Sequence, residues 1–190
     1  RAGGRRARRL LRTCGDRARG VDGDGMRWAL SHRCDQPTRV IADRHYNRQK
    51  PGTPQFVSPG RCLVLRTVCG RAIWVTSWPF KEYTKHAWAG AWVCSAFRNE
   101  GAGLSSDLIR EAAAVTAWKF GAMPDEGFIT FVDRGKTRSK KNPGYCYLMA
   151  GWEPCGKTQG GLHALRLPPD RLPAPAAPIN GTRLLFGGAA

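Results

Sequence analysis

No apolar run in this chain approaches the ~20 residues that a membrane-spanning helix needs, which excludes a helical membrane protein. The Arg-dense first residues are not backed by the apolar stretch of a secretory signal. The sequon match Asn180-Gly181-Thr182 therefore reads as chance. Cysteines number seven, at positions 14, 34, 62, 69, 94, 146 and 155, with no Cys-x-x-Cys pair among them. An odd count without paired spacing argues against a disulfide framework and against a closed four-cysteine zinc site. Segments such as Arg61-Cys62-Leu63-Val64-Leu65 place them among apolar neighbours, as small reduced core residues of a cytoplasmic protein. Histidine is scarce too: of the four, His32, His86 and His163 add no ligand spacing. Acidic residues are the largest shortage, with 14 Asp and Glu against 31 Lys and Arg.

That imbalance gives a net charge of +17. It is not a property of the tails. Residues 1–25 hold eight Arg against three Asp, and residues 168–190 hold two Arg against one Asp, so +11 falls on residues 26–167. A folded domain this basic points to a polyanionic partner, since Lys and Arg that meet phosphates release counterions. Charge that merely keeps the protein soluble is the competing explanation, and composition does not separate DNA from RNA.

The chain length of 190 suits one domain with a real core plus modest tails. Residues 1–25, dominated by Gly, Arg and Asp, read as a disordered basic arm or a translated leader, with Met26 as a real or alternative start. Residues 26–167 read as the folded domain. Residues 168–190 carry Pro168-Pro169 and a Pro/Ala stretch over 173–178, and read as a linker or disordered tail. Within the domain the pattern predicts a strand over 26–30 and a helix opening at Asp35 and Pro37, with Val40 and Ile41 facing inward. A Pro/Gly-dense loop over 45–60 follows, then a hairpin of 62–68 and 71–78 about Cys69-Gly70, and a strand over 88–97. Ser105–Phe120 is the clearest helix, with Ser105 and Ser106 as N-cap candidates and Gly121 and Pro124 as its stop. A strand over 128–132, a short helix over 143–150 and a last strand over 161–167 complete it. This order gives an α/β, or α+β, domain around one mixed sheet.

Four segments carry chemistry. Arg98-Asn99-Glu100-Gly101-Ala102-Gly103 leaves a strand and precedes the best helix, where backbone N–H groups and the helix end attract an anion such as pyrophosphate. Taken alone it reads equally as a plain turn. Tyr145-Cys146-Tyr147-Leu148-Met149-Ala150-Gly151-Trp152 offers a tyrosine at a helix start as a proton donor, although such aromatics are more often core. Asp43-Arg44-His45-Tyr46-Asn47-Arg48 contains a candidate base or ligand, His45; by itself it is a solvated helix end. Arg134-Gly135-Lys136-Thr137-Arg138-Ser139-Lys140-Lys141 is a basic loop suited to a phosphate backbone. Of the seven tryptophans, Trp78, Trp88 and Trp92 are candidates for stacking on an extruded base, most of the seven being core.

The first two segments together resemble the GNAT acyltransferase family. That resemblance implies a mostly antiparallel central sheet flanked by helices. It makes Arg98, Gly101 and Gly103 the holders of coenzyme A pyrophosphate and Tyr147 the proton donor to a departing thiolate. Tyr147-x-x-x-Gly151-Trp152 matches the family motif with Trp for Phe, while Leu104-Ser105-Ser106 intervenes where the family enters its helix directly. Arg44-His45-Tyr46 before a Pro/Gly loop, Ser105-Ser106, Thr130-Phe131-Val132-Asp133, and Gly144-Tyr145-Cys146-Tyr147 with Ala150-Gly151-Trp152 resemble the phage Mom-type proteins, over roughly residues 40–165. Those convert adenine in DNA to an N6-carbamoylmethyl form, which protects phage DNA from restriction in the bacterial cytoplasm.

This second resemblance implies a catalytic group of His45, Tyr46, Asp133, Tyr147, Ser105 and Ser106, with His45, Tyr46 and Asp133 as ligands of an iron ion. It implies acetyl-CoA or another acyl donor, and double-stranded DNA gripped by Arg44, Arg48, Arg134, Lys136, Arg138, Lys140 and Lys141. Two other functions fit the same sequence. One is an N-acetyltransferase acting on protein or small amines, and the other is a non-catalytic DNA-binding protein on the same scaffold.

Overall fold

The computed structural model describes residues 25–56, 59–137 and 141–181. Seven strands form one sheet in the order β1-β2-β3-β4-β5-β7-β6. They are β1 (Trp28–Ser31), β2 (Arg61–Thr67), β3 (Ala72–Trp78), β4 (Trp92–Asn99), β5 (Phe128–Val132), β6 (Glu153–Lys157) and β7 (His163–Leu167), with helices α1 (Gln36–Asp43), α2 (Ser105–Phe120) and α3 (Tyr145–Met149). Every pairing is antiparallel except β4 with β5, whose connection runs through α2, as a parallel pair requires a crossover. The mixed α/β architecture expected from the order of patterns is the one formed.

One face of the sheet packs on α2. Trp28, Trp74, Trp92 and Phe128 are fully buried there against Leu108, Ile109, Ala112 and Val115. Large rings on the sheet meet a helix whose inner face is largely alanine, so the two approach closely. Each such ring contributes about 1.5–3 kcal/mol on burial. Trp28 also donates its indole N–H to the Leu108 carbonyl at 2.9 Å, so the deepest polar atom of β1 is satisfied. α1 covers the opposite face through Ile41 and Ala42 on Ile73. Val40 is exposed rather than inward, because Thr38, Ile41 and Ala42 make the buried stripe.

Other local expectations change as well. β4 begins at Trp92, not residue 88, since Ala89 and Gly90 form a turn. Ser105 and Ser106 do not cap α2: Leu104 holds the N-cap position without a side-chain bond. β6 was not legible as a strand at all. The Pro/Ala stretch after residue 167 continues along the domain through residue 181. The Ile179 N–H donates to the Trp28 carbonyl at 2.9 Å, and Asn180 brackets Leu30 by accepting from its N–H (2.6 Å) and donating to its carbonyl (3.2 Å). Asn180 thus works as an added backbone partner on the free edge of β1. Residues 1–24 and 182–190, the remainder of the expected arm and tail, lie outside the described residues.

Candidate functional site

β4 carries a bulge. Val75 pairs with Ala96 while Thr76 pairs with Cys94, so Ser95 is the extra residue. A bulge reverses the alternation of side chains beyond it. Cys94 and Phe97 therefore face the α2 side with Trp74 and Tyr147, whereas Ala96 faces the α1 side with Val64 and Val75. Pairing of β4 with β5 ends one step away: only Trp92, Val93 and Cys94 register with Phe128, Ile129 and Thr130. Beyond that point the two strands part.

The opening holds a pocket of ≈ 260 Å³, just below the ~300–1,000 Å³ that small-molecule sites occupy. It is lined from both faces of the sheet. Tyr147 and Cys94 contribute from the α2 side, and His45, Tyr46 and Ala96 from the α1 side, with Thr130 and Phe131 on β5 between them. The sequence-predicted His45 and Tyr46, on the turn after α1, and Tyr147, on α3, thus meet in one cavity although they lie a hundred residues apart.

The turn after α1 is built to hold its pair. The His45 N–H donates to the Ala42 carbonyl at 3.0 Å. Asp43 accepts from Arg48 Nε at 2.7 Å and from the Gly52 N–H at 2.8 Å. Arg48 in turn donates to the carbonyls of Gln55 (2.6 Å) and Thr53 (2.5 Å). These bonds tie the Pro/Gly loop back onto α1. The His45 and Tyr46 rings stack with centroids 4.5 Å apart. His45 Nδ1 faces the side-chain oxygen of Asn47, and Asn47 Nδ2 donates to the carbonyl of the bulge residue Ser95 at 3.0 Å. The bulge therefore anchors the residue that orients the imidazole.

Burial, aided by the nearby Arg98 charge, lowers the His45 pKa below its ordinary 6.5, against the opposing pull of Asn47 and the Phe97 carbonyl. Tyr46 is 44 % exposed, yet its hydroxyl end is enclosed, where it meets the backbone of Asp133 and the charge of its carboxylate. Burial raises the Tyr46 pKa, against the pull of the hydrogen bond to the Asp133 backbone and with a smaller push from the charges of Asp133 and Cys94. Asp133 itself accepts from the Gly135 N–H at 2.7 Å. On the other wall the Tyr147 hydroxyl lies 3.3 Å from Cys94 Sγ, and Thr130 donates to the Cys94 carbonyl at 3.1 Å. Burial pushes Tyr147 well above 10 and Cys94 up to about 12. Both stay protonated at neutral pH. Cys94 reads from sequence only as core, Asn47 and Thr130 fall inside the motif segments without standing out in them, and the bulge has no sequence signal, because their roles arise from where β4 and β5 diverge.

The other expected site residues are placed differently. At the 98–103 loop, the N–H groups of Gly101 (3.0 Å) and Ala102 (2.8 Å) both donate to Asn99 Oδ1, and that of Glu100 donates to the Arg71 carbonyl at 2.7 Å. Asn99 Nδ2 closes the turn onto the Gly103 carbonyl (2.8 Å) and Ser105 Oγ (2.9 Å). Arg98 Nε and Arg44 both pair with Glu100, at 2.6 Å each. A Cβ on Gly103 would come within 2.6 Å of Arg27 Nη1, so this glycine makes room for a protein side chain. Three consecutive N–H groups are spoken for and a carboxylate sits among the arginines. The residues present do not fit a pyrophosphate.

Ser105 and Ser106 stand at the start of α2, and neither lines the pocket. Arg48, with 4 % of its side chain exposed, serves the loop rather than a phosphate. Arg134, Lys136 and Lys141 are exposed, while Arg138 and Lys140 lie outside the described residues. Trp92 is core, Trp78 packs on Trp92 and donates to the Gly90 carbonyl at 3.0 Å, and Trp88 is half-buried at the surface.

Among the described residues, no group of three His, Cys, Asp or Glu side chains is placed to hold a metal ion, and no helix is long and apolar enough to cross a membrane. No family model, curated protein or solved structure matches the chain.

Proposed function

We propose that this chain is a GNAT-like DNA-modifying transferase that adds an acyl-derived, carbamoylmethyl-type group to N6 of adenine. The observation that carries the reading is a pocket opened where two parallel strands part, with a neutral imidazole on one wall and a protonated phenol on the other. The sheet order, with its one parallel pair at β4 and β5, supports the GNAT-like description. The basic surface, continued by Arg134, Lys136 and Lys141 just beyond the end of β5, supports a phosphate-bearing partner. Adenine N6 lies inside the duplex, so the base enters by extrusion.

In this mechanism N6 attacks the electrophilic carbon of the donor. The new N–C bond forms, the N6 proton passes to His45, and the electron pair of the breaking bond leaves with a proton from Tyr147. For a carbamoylmethyl product the attacked carbon is a donor methylene that bears the leaving group, since attack on an acyl carbonyl would leave an N6-amide instead. In either case the donor does not rest its weight on the 98–103 loop, because that loop is closed on itself. Iron enters as the alternative use of the same imidazole, since the one lone pair of a neutral His45 serves either a metal or the N6 proton. His45, Tyr46 and Asp133 would hold it, an imidazole, a phenol and a carboxylate being donors that a hard transition metal accepts. When bound it would supply Lewis-acid polarisation.

Mass spectrometry of nucleosides from DNA of cells expressing the protein tests the reading. A heavier adenine nucleoside with the wild type and none with Tyr147→Phe supports it. Unmodified DNA accompanied by acetylated protein or amine points to an N-acetyltransferase, and salt-sensitive DNA binding with no product points to a binding protein.

A further inference from the structure

Three rings gather on the α1 side of the sheet at the pocket's edge. His86 and Phe131 have centroids 5.0 Å apart, Trp88 and Phe131 5.9 Å, and His86 and Trp88 6.2 Å. Their planes are tilted by 43–55°, so no ring covers another's face. All three are half-buried. Small residues make the shelf beneath them. Phe131 registers with Ala164, and Ala164 with Gly156, and the Trp88 ring lies 3.7 Å from where a Cβ on Gly156 would stand. His86 is fixed in one orientation, since its Nδ1 accepts from the Trp88 N–H at 3.2 Å. Burial lowers its pKa, which keeps the ring uncharged at neutral pH. Phe131 belongs both to this group and to the pocket lining, and the basic loop opens three residues after it, at Arg134.

We infer that His86, Trp88 and Phe131 form a stacking platform for an unpaired DNA base at the mouth of the pocket. The inference rests on the DNA-modifying reading above and deepens it. Aromatic faces beside a basic loop match what a single-stranded stretch presents, a planar base on a charged backbone. The sequence-tolerant nature of stacking means the platform holds a base without reading its identity, leaving selection of adenine to the pocket itself.

The test compares two duplexes of one sequence, one fully matched and one with the central adenine opposite an abasic site, both carrying 2-aminopurine beside it. Wild-type protein is expected to bind the abasic duplex about tenfold more tightly, in line with the loss per stacked base seen on alanine substitution, and to quench the 2-aminopurine. His86→Ala and Trp88→Leu are expected to bring the preference below about threefold and to lessen the quenching, while matched-duplex affinity and its salt dependence hold. Trp88→Phe, which keeps a ring and most of the packing, is expected to retain the preference. Equal binding of the two duplexes by wild-type protein that still modifies adenine overturns the platform alone, as does an equal loss on both duplexes in the variants. Wild-type protein that binds neither duplex and leaves adenine unmodified overturns the parent reading together with it. Tighter binding of a single-stranded RNA of the same sequence moves the platform to RNA and overturns it as stated.

Discussion

Burial acts on His45 and Tyr147 in the same direction chemically and in opposite directions on their pKa values. It disfavours whichever form is charged, so the imidazole gives up its proton early and the phenol keeps its own late. A base and an acid on facing walls are thereby both in working form at neutral pH. The pH profile of modification should show this. His45 must be unprotonated to act, so activity should rise with pH through a midpoint below 6.5 and stay level through neutrality, with no alkaline fall below pH 10. A midpoint above 6.5 would assign the base elsewhere. Tyr147→Phe should lower turnover by about 10²- to 10⁴-fold while the melting temperature changes little, since the ring packing on Trp74 and Trp152 is kept. If iron is held as proposed, His45→Ala and Asp133→Ala should each lose the metal measured on the purified protein, with melting temperature and DNA affinity nearly unchanged. Metal-free wild-type protein that still modifies DNA removes the metal and leaves the proton-transfer roles standing.

At the scale of elements, legibility followed periodicity. α2 and β5 were readable to the residue, because one repeats at helical spacing over 16 residues and the other is a short β-branched and aromatic run between turn signals. β6 was not, since Pro154 and Gly156 break any strand pattern; it survives as an edge strand paired on one side only, the place where proline is tolerated. The motif at residues 98–103 was found but its chemistry was not, because a glycine turn looks the same whether its N–H groups await an anion or are already taken by Asn99. Asn99→Ala should therefore cost about 1 kcal/mol in urea unfolding, the net worth of hydrogen bonds whose freed partners can turn to water, and coenzyme A affinity measured by calorimetry should be negligible before and after. Micromolar binding by wild-type protein would reopen the loop as an anion site. Gly144, at the start of α3, has φ of +74°, and a Cβ there would meet Leu165 Cδ1 at 2.5 Å and Val132 Cγ2 at 3.1 Å. Both neighbours are buried and have little room to yield, so the glycine sets how closely α3, and with it Tyr147, approaches β5.

For the whole molecule the issue is which parts of the chain the domain needs. The sequence set its limits at 26 and 167 by composition, and composition does not register a segment that packs through its backbone. Residues 168–181 bury Pro178 and hydrogen-bond to both β1 and α2, with the Ala176 N–H donating to the Ala114 carbonyl at 3.2 Å and the Ile179 N–H to Trp28. β1 is an edge strand of four residues, and Asn180 occupies the backbone groups of Leu30 that it would otherwise expose. Truncation after residue 167 removes these bonds and uncovers part of Trp28's surroundings. With each hydrogen bond worth ~0.5–1.5 kcal/mol net, the shortened chain should be destabilised by a few kcal/mol. Its melting temperature should fall by several degrees, and the Leu30 amide should lose protection from hydrogen exchange. Removal of residues 1–25 should do neither, since that stretch offers almost no apolar side chain besides Leu10 and Leu11. It should instead flatten the salt dependence of DNA binding in proportion to the phosphates its eight arginines meet, at about 0.9 in the log–log slope per contact. An unchanged slope would mean that the charge on the domain alone carries the binding, and an equal loss of stability from both truncations would mean that the arm, too, belongs to the fold.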